Sequence, residues 1–206
     1  SDTLIQTIQV DSRPTAIFSV TDGCIGKAMV PENHSTTTVG NIGEYLWDTG
    51  EGFKPTGEKP SFLFNVPGNQ LIRMIARSTQ GCVSAIAEQT INIQSNPVAA
   101  FTFGNTCAGK EIPFTNTSSN SAGAIEKWNW NFGNGSNSQE FEPVYIFNSF
   151  GNYNVSLTAT TQNGCSNIAN KTITIAKVNV SAGNDTLVAI GQPLQLVGSG
   201  AKDYQW

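Results

Sequence analysis

Four cysteines are the residues of this chain whose type and spacing point most directly to a chemistry. The offset from Cys24 to Cys107 equals the offset from Cys82 to Cys165, and we call this offset the repeat period. Each half of the chain therefore holds one early and one late cysteine, which predicts the disulfides Cys24–Cys82 and Cys107–Cys165. On the chain-entropy account, closing such a loop stabilises a fold by roughly 4 kcal/mol. Disulfides persist in oxidising compartments, so the pairing indicates an extracellular protein.

Two other readings of the cysteines stay open at this point. Four free, buried thiols would need no oxidising compartment. Zinc binding is less favoured, because the sequence has no Cys-x-x-Cys spacing and no companion histidine.

Acidic side chains near the two Gly-x-Gly turns could supply oxygen ligands to calcium, namely Glu51, Glu58, Glu140 and Glu142. However, Asp48 and Glu51 are replaced one repeat period later by Asn131 and Asn134. An amide keeps the acceptor oxygen and loses the charge, which favours hydrogen bonds to turn amides. We therefore expect no cofactor, with calcium as the alternative.

A catalytic site is not expected. His34 is the one histidine, and the position one repeat period later is Thr117, so we expect His34 to be a surface residue. No Ser/His/Asp or Cys/His set recurs, and no glycine-rich phosphate loop precedes a helix. The sequence therefore predicts that this segment is not an enzyme.

The elements that position these residues follow from an internal repeat, in which residues 45–52 stand in register with residues 128–135. In both stretches apolar and polar residues alternate and then give way to Gly-x-Gly, which is typical of a half-buried strand entering a tight turn. The residues that define this motif are Trp47, Gly50, Gly52, Trp130, Phe132, Gly133 and Gly135. Regular spacing in both copies favours buried tryptophans over outward platforms that would stack on sugars.

The second copy resembles the PKD (polycystic kidney disease) domain. The resemblance rests on W-x-F-G-x-G, a following proline, and an aromatic strand before Gly-x-Tyr-x-Val-x-Leu. In this chain the residues are Trp130, Phe132, Gly133, Gly135, Pro143, Tyr145, Gly151, Tyr153, Val155, Leu157 and Gly164. The family usually has Asp where this chain has Asn131 and Asn134. The resemblance implies an all-β fold, with tandem Ig-like (PKD-type) β-sandwich modules in a rod-like array.

The repeat also predicts the domain organisation. Residues 1–13 should be the last strand of a preceding repeat, and residues 177–206 should begin a third, truncated PKD- or Ig-like domain. The complete domains are expected at 14–96 and 97–176.

Within each domain we expect β-strands and no helix longer than about two turns. The strand through Phe62 and Val66 should form a hairpin with the strand that follows Gly68, and the second copy should do the same around Gly151. Asn163-Gly164 is a strong signal for a further hairpin turn.

Composition limits the partners of this segment. Charged residues make up 13% of the chain, the net charge is −4 and the pI is about 4.9, which argues against nucleic acid as a partner because nucleic-acid binding needs basic stripes. No apolar run approaches the length of a membrane span. The expected partners are neighbouring repeats of the same chain, with surface polysaccharide or other cell-surface proteins as candidates beyond it.

The resemblance also implies a function. Such repeats are similar to those of large secreted or cell-surface proteins of Bacteroidota, which implies type IX secretion and stalk or adhesin modules for surface adhesion or gliding motility. The alternative is a set of spacer or carbohydrate-binding accessory modules of an extracellular hydrolase. An outward-facing aromatic patch would favour the alternative.

Overall fold

A computed structural model describes residues 12–121 and 123–176 of the chain. All regular structure in these residues is β-strand, so the predicted all-β fold class is confirmed. The two predicted end segments, 1–13 and 177–206, lie outside the described residues apart from Ser12 and Arg13.

The described residues divide into two compact units. The first unit contains the described residues up to Asn96 together with those of two short segments, Asn120–Ala124 and Thr161–Cys165. The second unit contains Pro97–Ser119, Ile125–Thr160 and the described residues from Ser166 onward.

The first unit has nine strands. They are β1 (Phe18–Ser19), β2 (Gly23–Cys24), β3 (Ala28–Met29), β4 (Glu32–Asn33), β5 (Ile42–Asp48), β6 (Lys54–Pro55), β7 (Phe62–Leu63), β8 (Gly68–Ser78) and β9 (Ala87–Gln94).

One five-stranded sheet, in the order β2-β9-β8-β5-β6, is the largest layer of the first unit, and two small sheets pair β1 with β4 and β3 with β7. Trp47 on β5 links these layers, because its ring lies 5.0 Å from that of Phe18 on β1 and 5.8 Å from that of Phe62 on β7. The core therefore lies between the large sheet and the two small ones.

The second unit has seven strands. They are β10 (Phe101–Phe103), β11 (Glu111–Asn116), β12 (Ile125–Asn131), β13 (Asn137–Ser138), β14 (Val144–Ile146), β15 (Gly151–Thr161) and β16 (Ser166–Ile175).

Two sheets make up the second unit, with the orders β10-β11-β14 and β13-β12-β15-β16. Val155, Leu157 and Ala159 on β15 are each fully buried, as the two-residue period of a strand requires when one face covers a core. Rings from the two sheets meet in this core, with Trp130 lying 5.2 Å from Phe101 and 5.5 Å from Phe114. The unit is a β-sandwich of the immunoglobulin type.

The hairpin predicted around Gly68 and Gly151 is wrong. In the second unit, β14 pairs with β11 rather than with β15, and in the first unit β7 pairs with β3 rather than with β8. The chain crosses from one sheet to another at these glycines because the aromatic residues before them belong to the layer opposite the long strand that follows.

The hairpin predicted at Asn163-Gly164 is confirmed. Strands β15 and β16 pair from Gly151 with Ile175 to Thr160 with Ser166. The turn is closed by hydrogen bonds from the Thr161 amide to the Cys165 carbonyl at 2.8 Å and from the Gly164 amide to the Thr161 carbonyl at 2.9 Å. The same pair of bonds closes the turn at residues 78–82.

Candidate functional site

The two motif tryptophans are buried core residues. Trp47 is 2% exposed and Trp130 is fully buried. The indole nitrogen of Trp47 donates to the Gly57 carbonyl at 3.0 Å, and that of Trp130 donates to the Glu140 carbonyl at 2.9 Å. The predicted burial is confirmed, and neither ring offers an outward surface on which a sugar could stack.

The residue after each buried tryptophan organises the Gly-x-Gly turn. Asp48 accepts hydrogen bonds from the backbone amides of Gly50 at 2.7 Å and Gly52 at 2.8 Å through one carboxylate oxygen. Asn131 accepts from the Gly133 amide at 2.8 Å. Asn134 likewise accepts from the Ser136 amide at 3.2 Å, so the prediction that the Asn131 and Asn134 oxygens serve turn amides is confirmed.

Glycine is required most strictly at position 133. Its φ is +77°, and a Cβ added there would lie 2.7 Å from the Asn154 carbonyl oxygen. Gly135 also has positive φ, +90°, but a Cβ there would meet nothing within 4 Å. Gly135 is thus needed for its positive φ. Gly133 is needed for its positive φ and for the close approach of the neighbouring strand.

An ion pair that the sequence analysis missed completes the turn in the first unit. Arg73 on β8 donates to the second carboxylate oxygen of Asp48. The Asp48 side chain is nearly inaccessible to solvent. The Gly50 amide, the Gly52 amide and the Arg73 guanidinium lower the pKa of Asp48 below its ordinary value, against an opposing effect of burial. The position one repeat period after Arg73 is Ser156, so the second unit uses the neutral Asn131 in place of a charged pair.

The acidic residues considered as calcium ligands are not drawn into a common cluster. Among the described residues, no group of three or more His, Cys, Asp or Glu side chains is arranged to hold a metal ion. Glu51 pairs with Lys54, whose hydrogen bond and charge lower the pKa of Glu51. Glu140 contributes its backbone carbonyl to Trp130.

His34 lies on the surface of the first unit. Its side chain is 54% exposed, and its Nε2 atom lies 3.3 Å from the Ser19 hydroxyl and 3.9 Å from a Glu32 carboxylate oxygen. Its partners are a hydroxyl and an exposed acid, as expected for a surface residue.

The predicted disulfide pairing is wrong. The structure joins Cys24 to Cys165, with a Cα–Cα distance of 5.5 Å, and leaves Cys82 and Cys107 as free thiols. The two cysteines meet because Cys24 pairs with Gln94 across β2 and β9, and Gln94 contacts the turn Thr161–Cys165 that carries the second cysteine. The neighbouring hydrogen bond from the Asn163 amide group to the Gln94 side-chain oxygen, 2.7 Å long, helps to hold this turn.

Sequence spacing could not distinguish the two pairings. An early cysteine can pair with the late cysteine of its own repeat or with that of the next one, and both choices fit the same repeat period. The contact between Asn163 and Gln94 gave no signal in the sequence either, because both are polar residues in positions that a free turn and a strand end would also tolerate.

The described residues contain no helix that is long and apolar enough to cross a membrane.

Comparison with known proteins identifies the family to which part of this chain is similar. Residues 94–176 match the family model of the PKD domain. The chain is 36% identical to the PKD1 domain from Vibrio cholerae metalloprotease PrtV, covering 40% of this chain and 99% of that structure with a TM-score of 0.37. For the PKD1 domain of Vibrio anguillarum Epp the identity is 32%, the coverage is 40% and 95%, and the TM-score is 0.38.

A curated relative covers more of this chain. It is the pre-pro-metalloprotease PrtV of Vibrio cholerae, 28% identical over 133 residues, which are 64% of this chain. The chain spans only 14% of the length of that relative.

The fold and the buried Trp/Gly-x-Gly turn define an immunoglobulin-like β-sandwich module. More specifically, segment 94–176 of the chain belongs to the PKD domain family. The match is to a non-catalytic accessory module.

Proposed function

We propose that this chain is a non-enzymatic segment of a large secreted or cell-surface repeat protein. Its PKD-type sandwiches act in tandem as stalk or adhesin modules that hold a more distal part of the protein away from the cell. In this proposal the protein serves surface adhesion or gliding and leaves the cell by a dedicated route such as type IX secretion.

The disulfide between Cys24 and Cys165 is the observation that carries the proposal. Both cysteines are buried, at 6% and 1% exposure, and a disulfide of this kind persists only where thiols are not continually reduced. A small sandwich has a limited core, so a covalent link adds stability that suits a protein exposed outside the cell.

The surface chemistry also supports a spacer role. Charged residues form 13% of the chain, about half of the usual share of roughly 25%. The motif side chains are used in the core and the turn, so the recurring chemistry of the module holds a fold together.

A second candidate function is favoured by one comparison. Because the relative PrtV is described as a pre-pro-metalloprotease, this chain can instead be a spacer or carbohydrate-binding accessory region of an extracellular hydrolase. Phe141 is 53% exposed, and its ring packs edge-on against that of Trp128 with a centroid distance of 4.9 Å. Sugar binding would be tested at this aromatic pair.

Antibodies against residues 14–176 separate these functions in cells that produce the protein. Labelling of intact cells, with loss of surface attachment when monovalent fragments are added, is the result expected for a stalk or adhesin. Recovery of the chain in the medium on a larger protein with hydrolase activity would favour the second candidate. Labelling only after permeabilisation would contradict both.

Glycan binding is a separate test of the second candidate. The purified chain is applied to a glycan array beside the variant Phe141→Ala. Binding that is lost in the variant would favour the accessory carbohydrate-binding module, and the stalk proposal expects no binding by either protein.

A further inference from the structure

The two free thiols occupy positions equivalent to those of the disulfide. Cys107 lies one repeat period after Cys24, and Cys82 lies one repeat period before Cys165. Cys24 and Cys165 are buried in their bond, whereas Cys82 and Cys107 are half-buried thiols. Each free cysteine therefore has the sequence position of a bonded one but lacks its partner.

The backbone around Cys107 matches that around Cys24. The Lys27 amide donates to the Cys24 carbonyl at 3.2 Å, and the Lys110 amide donates to the Cys107 carbonyl at 3.3 Å. One residue earlier in each turn, the Gly26 amide donates to the Phe64 carbonyl at 2.9 Å. The Gly109 amide donates to the Phe147 carbonyl at 2.8 Å in the same way.

The backbone around Cys82 matches that around Cys165 in the same way. The Cys82 amide donates to the Ser78 hydroxyl at 3.1 Å, and the Cys165 amide donates to the Thr161 hydroxyl at 3.2 Å. Both free thiols are thus held on turns that already have the geometry of the bonded pair.

The bonded pair also defines a pairing rule. Its sequence separation is 141 residues, which equals one repeat period plus the spacing between the early and the late cysteine of one repeat. The rule therefore joins the early cysteine of one repeat to the late cysteine of the next. Under this rule Cys107 needs a late cysteine in a following repeat, and Cys82 needs an early cysteine in a preceding one.

We propose that Cys107 and Cys82 continue a disulfide ladder, in which Cys107 of one copy of this repeat pair bonds to Cys82 of another copy. A second copy placed after this one would present its Cys82 to Cys107, which reproduces the Cys24–Cys165 bond. Such a contact joins different surfaces of the two copies, so it is head-to-tail and can be repeated from one copy to the next. The inference deepens the proposed stalk function, because the ladder links successive modules covalently.

The chemistry needs only an oxidant of the disulfide class, such as oxidised glutathione. A Cys107 thiolate attacks the glutathione disulfide, forms a mixed disulfide and releases one reduced glutathione. The Cys82 thiolate of the second copy then attacks the Cys107 sulfur and releases the other. Two protein thiols are oxidised and one glutathione disulfide is reduced to two thiols, with the thiol protons passing to the released glutathione.

The test uses the variants Cys82→Ser and Cys107→Ser, each of which keeps one free thiol and the Cys24–Cys165 bond. The variants are oxidised with oxidised glutathione separately and as an equimolar mixture in which one carries a ¹⁵N label. Non-reducing electrophoresis gives the amount of dimer, and peptide mass mapping identifies the cysteines that are joined.

The proposal expects the mixed Cys82–Cys107 dimer to exceed either single-variant dimer about tenfold, and expects the unaltered chain to form a ladder of oligomers. A mixture that dimerises only in statistical proportion, or not at all, would overturn it. Mapping of the monomer that finds Cys24–Cys82 and Cys107–Cys165 would also overturn it, since the pairing rule would be lost. Alanine variants at the same two positions replace the serine variants if far-ultraviolet circular dichroism shows misfolding. Either negative result leaves the stalk function to be decided by the antibody labelling.

Discussion

Reduction of the Cys24–Cys165 disulfide should release a large amount of hidden chain length under tension. When force is applied to the two ends of the oxidised chain, it passes across the disulfide and bypasses the residues between the two cysteines. Their sequence separation is 141 residues. At about 3.3–3.6 Å for each extended residue, reduction should therefore add roughly 470–510 Å of contour length.

The size of the increment distinguishes the two pairings. If Cys24–Cys82 and Cys107–Cys165 were the bonds, each would hide a much shorter loop, worth roughly 190–210 Å at the same extension per residue. Two shorter gains would then appear on reduction in place of one long gain.

Single-molecule force spectroscopy measures this directly, with handles on both chain ends and traces recorded with and without reductant. The variant Cys165→Ser should extend like the reduced chain in the absence of reductant. Cys82→Ser is the matched control and should extend like the oxidised unaltered chain. Equal extension of the unaltered chain in both conditions, or gains of only about 200 Å, would refute the reasoning.

Three further predictions concern the buried turn motif. Trp130→Ala should destabilise the second unit by about 3–5 kcal/mol, because it empties a fully buried site, and Trp130→Phe should destabilise it clearly less. Urea unfolding followed by circular dichroism measures both variants. Equally small shifts of the unfolding midpoint in the two variants would place the ring outside the core. Gly135→Ala should destabilise the fold by about 1–3 kcal/mol because of its positive φ alone, and Gly133→Ala should destabilise it more. Thermal unfolding that ranks the two variants in the other order would contradict the close approach at position 133. Because its folded-state pKa is lowered, Asp48 contributes stability above its unfolded pKa of about 3.9 that is lost as pH falls through the lower folded value. Asp48→Asn should therefore flatten the acid dependence of unfolding, and identical acid profiles for Asp48→Asn and the unaltered chain would count against the ion pair.

Local patterns in the sequence were sufficient for the fold class and the turn motif. Alternation over a strand determines which face meets the core, so the burial of Trp47 and Trp130 could be predicted before any coordinates were known. The hydrogen bond of Asn131 was equally predictable, because a short side-chain oxygen two residues before a turn glycine reaches that glycine's amide whatever the rest of the fold does.

Contacts between distant segments were decided only by the tertiary structure. The partner of β14 is β11 and that of β7 is β3, since the choice of sheet depends on which layer the aromatic side chains must cover and sequence adjacency does not determine it. Arg73 on β8 contacts Asp48 on β5, through a strand register that periodicity alone leaves undefined.

The sequence by itself determined that four cysteines recur with one period and that each repeat holds an early and a late one. It could not determine which early cysteine meets which late one, because the period is satisfied by pairing within a repeat and by pairing with the next. A disulfide requires Cα atoms within a few ångströms of one another, and that distance is a property of the folded chain. The pairing of Cys24 with Gln94 and the hydrogen bond from Asn163 to Gln94 bring the turn that carries Cys165, and not the turn that carries Cys82, beside Cys24.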